Sequence, residues 1–272
     1  MKNRKGVIIL VTGLALLCLA YGLIEPYFVE VSEIDYASPD IPEAFDGKRI
    51  VFVSDIHYGL FYTKDRVSDI AKKVNDLTPD IVVFGGDYLS SDVKSAAPCF
   101  EELAKINAPL GKFGVMGNHD HWGHVKDVLG GMAYAEITPL DNKAEWINLD
   151  GERIKLGGVG DLWCDSQDIE PTIGDVAEKD FVVLLSHNPD YAENIETNKV
   201  DLVLSGHTHG GQVTFFGLWA SYTNSGYGQK YRSGLIESGN TRVYVSRGIG
   251  TVALPIRFFA RPEITVINLK AA

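Results

Sequence analysis

Cysteine is scarce in this 272-residue chain: Cys18, Cys99 and Cys164 share no C-x-x-C spacing and form no even set. That argues against a disulfide scaffold and against a cysteine zinc site. Basic residues are also in the minority, 25 Lys and Arg against 36 Asp and Glu. Three of the 25, Lys2, Arg4 and Lys5, stand at the extreme N-terminus, which leaves the body 22 against 36, a balance of −14. Such an acidic body is not expected to track nucleic-acid backbone over a wide surface. A small phosphate ester can still bind where metal cations supply the local positive charge. Internal repeats and low-complexity linkers are missing beyond residue 46. One sizeable domain remains, long enough to bury a core without staples.

Charge is absent altogether from Val7 to Ile24, VIILVTGLALLCLAYGLI. As a helix these residues span roughly 27 Å at about 1.5 Å per residue, close to a bilayer's hydrocarbon thickness. The run exceeds the roughly 7–15 apolar residues of a secretory signal peptide. Residues 1–25 are therefore expected to form a retained signal-anchor, a single transmembrane helix. Two readings compete with it. One is a signal peptide cleaved near Cys18-Leu19-Ala20, giving a secreted protein; the other is a buried core helix. Basic residues precede the run, whereas Glu25, Glu30, Glu33, Asp35, Asp40, Glu43 and Asp46 follow before Lys48. The basic-residue bias places the N-terminus inside and the domain outside the cytoplasm, at the cell membrane.

Residues 26–47 are acidic and contain Pro39 and Pro42, a pattern that reads as an extended stalk or an edge strand. The domain is expected over residues 48–272. Buried strand patterns recur at Arg49–Ser54, Asp80–Phe84, Phe113–Met116, Phe181–Leu185 and Asp201–Leu204, with amphipathic helices at Thr63–Leu77 and Ser95–Ile106. Asp150-Gly151 between two short runs signals a hairpin, and further strands are expected at Gly234–Ser238, Arg242–Ser246 and Glu263–Leu269. The fold class is mixed α/β, two packed sheets with helices outside.

Five motifs follow the buried strands: Asp55-Ile56-His57, Gly85-Gly86-Asp87, Gly117-Asn118-His119-Asp120, Ser186-His187-Asn188 and Gly206-His207-Thr208-His209-Gly210. Loops beyond the carboxyl ends of strands in α/β sheets can converge on a ligand. Five of the seven histidines fall inside these motifs, a concentration that packing does not explain. Taken singly each motif is weak, since Asp-x-His and Gly-Asp are commonly turns. If the first strand continues, Asp55 and His57 share a face. Gly117 is expected to permit a tight bend that throws three polar side chains together.

The ordered set Asp-x-His, Gly-Asp, Gly-Asn-His-Asp, His, Gly-His-x-His resembles the calcineurin-like metallophosphoesterase family over about Arg49 to Leu269, with no motif position departing from its pattern. Gly206–Gln212, Tyr231-Arg-Ser-Gly234 and Ser246-Arg-Gly-Ile-Gly250 resemble a membrane-anchored bacterial branch described as phosphodiesterases or UDP-2,3-diacylglucosamine pyrophosphatases. The resemblance implies a four-layer αββα sandwich of two mixed sheets flanked by helices. It implies one metal held by Asp55, His57, Asp87 and His209, and a second held by Asp87, Asn118, His187 and His207, with Asp87 bridging. It also implies that His119 faces the substrate without binding metal, steadied by Asp120.

This division of labour has a physical rationale. Two cations about 3.5–4 Å apart need an anionic bridge, and their joint field makes a water acidic enough to attack phosphorus near neutral pH. A protonated His119 can stabilise developing charge or donate to the leaving oxygen. The mixed N/O donor set suits two divalent ions of Mn, Fe, Zn, Co or Ni more than Mg or Ca. The expected activity is hydrolysis of a phosphodiester or pyrophosphate in a membrane- or envelope-associated substrate, lipid-linked esters included. The alternatives are a UDP-2,3-diacylglucosamine pyrophosphatase of lipid A synthesis, against which the outward orientation argues, and an inactive phosphoesterase-fold binding module, which missing ligands would mark.

Three further features invite over-reading. His121, Trp122 and His124 are read as exposed loop residues rather than pocket lining. The aromatic stretch Phe215–Tyr231 either covers an acyl chain or bilayer, or forms a second core. Arg247, Arg257 and Arg261 are read as surface partners of the many carboxylates rather than as phosphate ligands.

Overall fold

A computed structural model describes residues 2–91 and 93–272. The elements in chain order are α1 (Lys2–Ile24), β1 (Glu30–Ser38), β2 (Arg49–Val53), α2 (Lys64–Asp76), β3 (Ile81–Phe84), α3 (Ala97–Leu103) and β4 (Lys112–Gly114). Then come α4 (Asn118–His121), α5 (Val125–Tyr134), β5 (Ile137–Pro139), β6 (Lys143–Leu149), β7 (Glu152–Gly158), α6 (Glu170–Ile173), β8 (Val182–Leu185) and β9 (Leu202–Ser205). The chain closes with β10 (Thr214–Phe215), β11 (Trp219–Ala220), β12 (Gly234–Ser238), β13 (Thr241–Val245) and β14 (Glu263–Ala271).

Two mixed six-stranded sheets result, ordered β1-β14-β2-β3-β4-β5 and β12-β13-β9-β8-β7-β6. Their central strands are apolar on both faces because each face is buried. In β2, Ile50 and Phe52 enter the core between the sheets, while Val51 and Val53 face α2, α3 and α5. In β8, Val183 and Leu185 enter the same central core, and Val182 and Leu184 face the opposite side. Such runs mark strands covered on both faces, most often in parallel sheets. β2, β3, β4 and β5 are parallel, as are β7, β8, β9 and β13, so the carboxyl ends within each group lie together. The outer layer on the second sheet is thin, with α6 packed on β6 and β7.

Of the two readings of the acidic segment 26–47, the edge strand holds and the stalk does not. Residues 30–38 pair over their whole length, in parallel, with β14 at the edge of the first sheet. Tyr36, Ile41 and Phe45 enter the central core, and the Tyr36 hydroxyl donates to the Asp201 carbonyl at 2.8 Å. The folded unit therefore starts well before residue 48. An edge strand keeps acidic side chains on its open side, which protects it from pairing with other chains and also makes it read as a linker.

Candidate metal centre

Each motif begins one to three residues past the end of β2, β3, β4, β8 or β9. Backbone bonds lock these loops to one another. The Asp55 N–H donates to the Gly86 carbonyl and the His57 N–H to that of Asp87, both at 2.9 Å. The His207 N–H donates to the Asp55 carboxylate at 3.0 Å, joining the two sheets across the site. β2 ends at Val53, and Asp55 and His57 both have positive φ, 54° and 48°. Their shared orientation therefore comes from two left-handed residues and not from strand alternation. Asp87, His207 and His209 are also left-handed, at 53°, 68° and 52°. Such conformations cost of order 1–3 kcal/mol each and persist where the surroundings over-determine them, a common trait of functional sites.

Gly117 acts by closeness rather than by bending. Its backbone is extended (φ −108°, ψ 179°), and a Cβ there would run into the Asp87 carboxylate and stand 2.7 Å from His187 Cε1. A Cβ on Gly206 would likewise run into Ser54 and the Asp55 carboxylate. The ligand loops can approach this closely only with glycine at both places.

The side chains converge around Asp87. Its Oδ2 lies 3.4 Å from His57 Nε2 and 3.3 Å from His187 Nε2, and its Oδ1 accepts the His119 N–H at 2.9 Å. On one side, His57 Nε2 and His209 Nε2 are 3.1 Å apart, and Asp55 Oδ1 is 3.4 Å from His209 Nε2. On the other, His207 Nδ1 is 3.2 Å from His187 Nε2. Three groups can hold a cation: Asp55, His57 and His209; Asp87, His187 and His207; and His57, Asp87 and His119.

Electrostatics favour a cation here. Burial pushes His57 and His207 down to about 3 and His209 well below the usual imidazole range, so these rings are neutral and their lone pairs free. Burial likewise opposes the charged forms of Asp87 and His187. The attraction between the two outweighs it, holding the Asp87 carboxyl well below and His187 well above their ordinary values. Burial raises Asp55 to about 6. Asn118 Oδ1 and His207 Nε2 are buried without any hydrogen-bond partner among the described residues, a costly state that a ligand relieves. His187 Nδ1–H donates to the Gly85 carbonyl at 2.6 Å, which orients the ring and leaves Nε2 to face Asp87. Imidazoles, carboxylates and an amide oxygen form a donor set that fits divalent transition metals.

Comparison with known proteins agrees with this geometry. Residues 48–211 match the calcineurin-like phosphoesterase family. The chain is 36% identical to the uncharacterized metallophosphoesterase YkuE of Bacillus subtilis, over 91% of its own length and 88% of the relative's. It is 32% identical to the phosphodiesterase YaeI of Escherichia coli, over 81% of its length and 82% of the relative's. The chain belongs to the calcineurin-like metallophosphoesterases. It is thus a hydrolase of phosphate esters, in a family that works with a binuclear divalent metal centre, and its Asp/His clusters supply donors for one. A transmembrane protein with a metallophosphoesterase domain from Danio rerio is 30% identical over 89% of this chain, which spans 58% of that relative. The fold itself is shared with the NAD nucleotidase of Haemophilus influenzae (TM-score 0.51, 14% identity, 74% of this chain and 50% of that one).

Within this phosphoesterase, Asp120 does something other than steady His119. Its carboxylate accepts the backbone N–H groups of Gly117 (3.0 Å), Leu89 (3.2 Å) and Tyr88 (3.3 Å), and so holds the Asp87 and Asn118 loops together. His119 Nδ1 has no partner among the described residues. Its ring lies edge-on to His57 at 4.6 Å and against the exposed Trp122 at 4.4 Å, on the open side of the cluster. Trp122, read from sequence as a loop residue, therefore lines the opening. Trp163, which sequence reasoning missed, packs edge-on to His207 at 4.4 Å and is also exposed. Nothing local marks Trp163, because it reaches the site from a loop after β7 that carries no metal motif. Arg257 is fully buried and donates to the carbonyls of Arg247, Gly248, Gly250 and Ala260, not to a surface carboxylate. Arg247 does pair as expected, with Glu263 at 2.6 Å and Glu30 at 3.0 Å.

Proposed function

We propose that this phosphoesterase is a phosphodiesterase or pyrophosphatase, anchored by α1, that acts on a membrane- or envelope-associated substrate outside the cytoplasm. The observation that carries the chemistry is the buried Asp87 carboxylate reaching both His57 and His187 at once. In this reading one ion is held by Asp55, His57, Asp87 and His209, and the other by Asp87, Asn118, His187 and His207. When bound, the pair supplies Lewis acidity toward phosphoryl oxygens and a nucleophile at neutral pH. His119, on the open side, meets the substrate and gives a proton to the leaving oxygen. Trp122 and Trp163 flank the entrance and limit how the ester can lie. The complete donor set argues against an inactive binding module, in which one or more of these side chains would be missing.

The name of the Escherichia coli relative supports diester cleavage. A second reading, cleavage of a UDP-linked glycolipid, draws support from a groove of about 420 Å³ lined by Trp163, Trp219, Tyr222 and Gln229. The full chain, purified in detergent and supplied with Mn, is expected to cleave a bis-aryl phosphate about 10-fold faster than an aryl monoester, a barrier difference near 1.4 kcal/mol. Faster monoester cleavage would overturn the diesterase reading, and a UDP-linked substrate turned over fastest would replace it with the second.

Anchoring is supported by α1 itself. The Arg4–Tyr27 span has a mean hydropathy of 2.7 and is only 6% buried, so it projects from the domain instead of entering its core. Membranes carrying the protein should retain it through carbonate washing and release it, at full length, with detergent. A soluble product trimmed at the N-terminus would establish signal cleavage instead.

A further inference from the structure

One surface differs sharply from the acidic exterior. The β10–β11 hairpin turns through Phe216, Gly217 and Leu218, and Phe215, Leu218 and Trp219 are 65%, 77% and 53% exposed. The aromatic stretch is therefore not a second core; only Tyr231 at its far end is fully buried. Large apolar side chains clustered in water mark an interaction surface.

The hairpin is continuous with α1. Phe215 and Phe216 have ring centroids 4.9 Å apart, Phe216 lies 5.1 Å from Phe259, and Phe259 lies 4.9 Å from Phe258. Phe258 and Phe259 both pack on Tyr21, in the last turn of α1, at 5.4 and 5.3 Å. Trp219 stands directly opposite Phe215 in the hairpin register. An unbroken row of rings thus runs from the end of the apolar helix to the hairpin tip, with exposed Leu254 in the neighbouring loop.

The joint is also fixed in place. The Arg257 N–H donates to the Gly22 carbonyl at 3.0 Å, and the buried Glu25 carboxylate accepts the N–H groups of Phe259 and Ala260 at 2.7 Å each. A Cβ on Gly22 would stand 2.9 Å from Ile256, so helix and loop touch backbone to side chain. A bilayer spanned by α1 therefore meets the protein near Tyr21, at the level of Phe258, Phe259 and the hairpin. Tyr and Trp suit that level, with an apolar body and a polar edge. The body's excess of acidic residues gives it no overall attraction to anionic lipid, so the exposed apolar side chains are the main source of contact.

We infer that the β10–β11 hairpin, with Phe259 and Leu254, rests in the interfacial layer of the bilayer and holds the catalytic domain against it. The inference rests on α1 spanning the membrane, as proposed above. The hairpin follows His209–Gln212 in sequence, and the groove that Trp219 lines is shared with Trp163, which packs on His207. The site would accordingly take esters whose apolar part stays in the lipid.

The test uses the full chain in phosphatidylcholine vesicles in which part of the lipid carries bromine on the upper acyl carbons. Bromolipid should quench part of the tryptophan emission, and Trp219→Phe should lose most of that quenching, since Trp219 alone of the four tryptophans stands in the hairpin. The triple variant F215S/F216S/L218S should lose the quenching and shift the Trp219 emission to the red, while cleaving a water-soluble bis-aryl phosphate as the unmodified chain does. Equal quenching with and without Trp219, or none, in protein that withstands carbonate would overturn the docking surface and leave the anchor standing. Release by carbonate would take down both. Crosslinked pairs of chains through the hairpin, without quenching, would assign the patch to a second copy and overturn the lipid contact.

Discussion

Asp87→Ala is expected to empty the metal centre and abolish turnover together. The Asp87 carboxylate is the one that lies within 3.4 Å of imidazole nitrogens from both ligand groups. Two cations held side by side repel each other strongly, and an anion between them is what makes joint occupancy possible. Alanine leaves the buried loop without a bridge and removes the acceptor of the His119 N–H as well. Metal content after gel filtration should fall from two ions per chain towards none, with activity below detection at any added divalent metal. The fold should survive, since the apolar cores on both sides of the sheets are untouched; a cooperative thermal transition close to that of the metal-free parent checks this. Two ions retained in the variant would remove Asp87 from the bridging role.

His119→Asn should separate binding from chemistry. Turnover should drop by about 10²–10⁴-fold, the usual worth of a positioned acid or base, while two ions per chain remain. The substitution keeps the backbone N–H that Asp87 Oδ1 accepts, so the bridge is preserved. The placement of the ring makes this test decisive. His119 is near enough to His57 and Asp87 to be counted as a third possible cation site, yet it is less buried than they are and packs on exposed Trp122. Loss of one ion along with activity would make it a ligand. Because Asp120 bonds three backbone N–H groups and not the imidazole, Asp120→Asn should act on the Gly117 loop, weakening metal binding as well as turnover.

The candidate site was legible because each ligand is announced locally. A strand buried on both faces reads as an uninterrupted apolar run, and an Asp, Asn or His just past such a run stands at a carboxyl end where loops converge. That pattern marks the five motifs, and the family resemblance singles out Asp55, His57, Asp87, Asn118, His187, His207 and His209 within them. It went wrong where a local pattern admitted two conformations. Asp55-Ile56-His57 was read as continuing a strand, but both ligands are left-handed, since the Gly86 and Asp87 carbonyls capture their N–H groups. Gly117 was read as a bend, but it is extended and matters for the space it leaves. Asp120 was paired with its neighbour in sequence, whereas its partners lie some thirty residues away as well as at Gly117.

The edge strand shows the same limit on a larger scale. Residues 30–38 are acidic and lie between prolines, and nothing within them names a partner. They pair with β14, the last strand of the chain, through backbone groups that every sequence carries. The row from Tyr21 through Phe259 and Phe216 to Trp219 is equally invisible along the chain, since Tyr21 is more than two hundred residues from Phe258.

By itself, then, the sequence determined the family, the apolar helix and the five motifs at the strand ends, because burial and strand ends leave periodic and local marks. Which donors come close to one another, what Asp120 holds, where the acidic segment pairs and which rings continue α1 were decided only by tertiary structure. Those outcomes depend on contacts such as His207 N–H to the Asp55 carboxylate, 152 residues apart, whose partners are chosen by the closing of two sheets on one another.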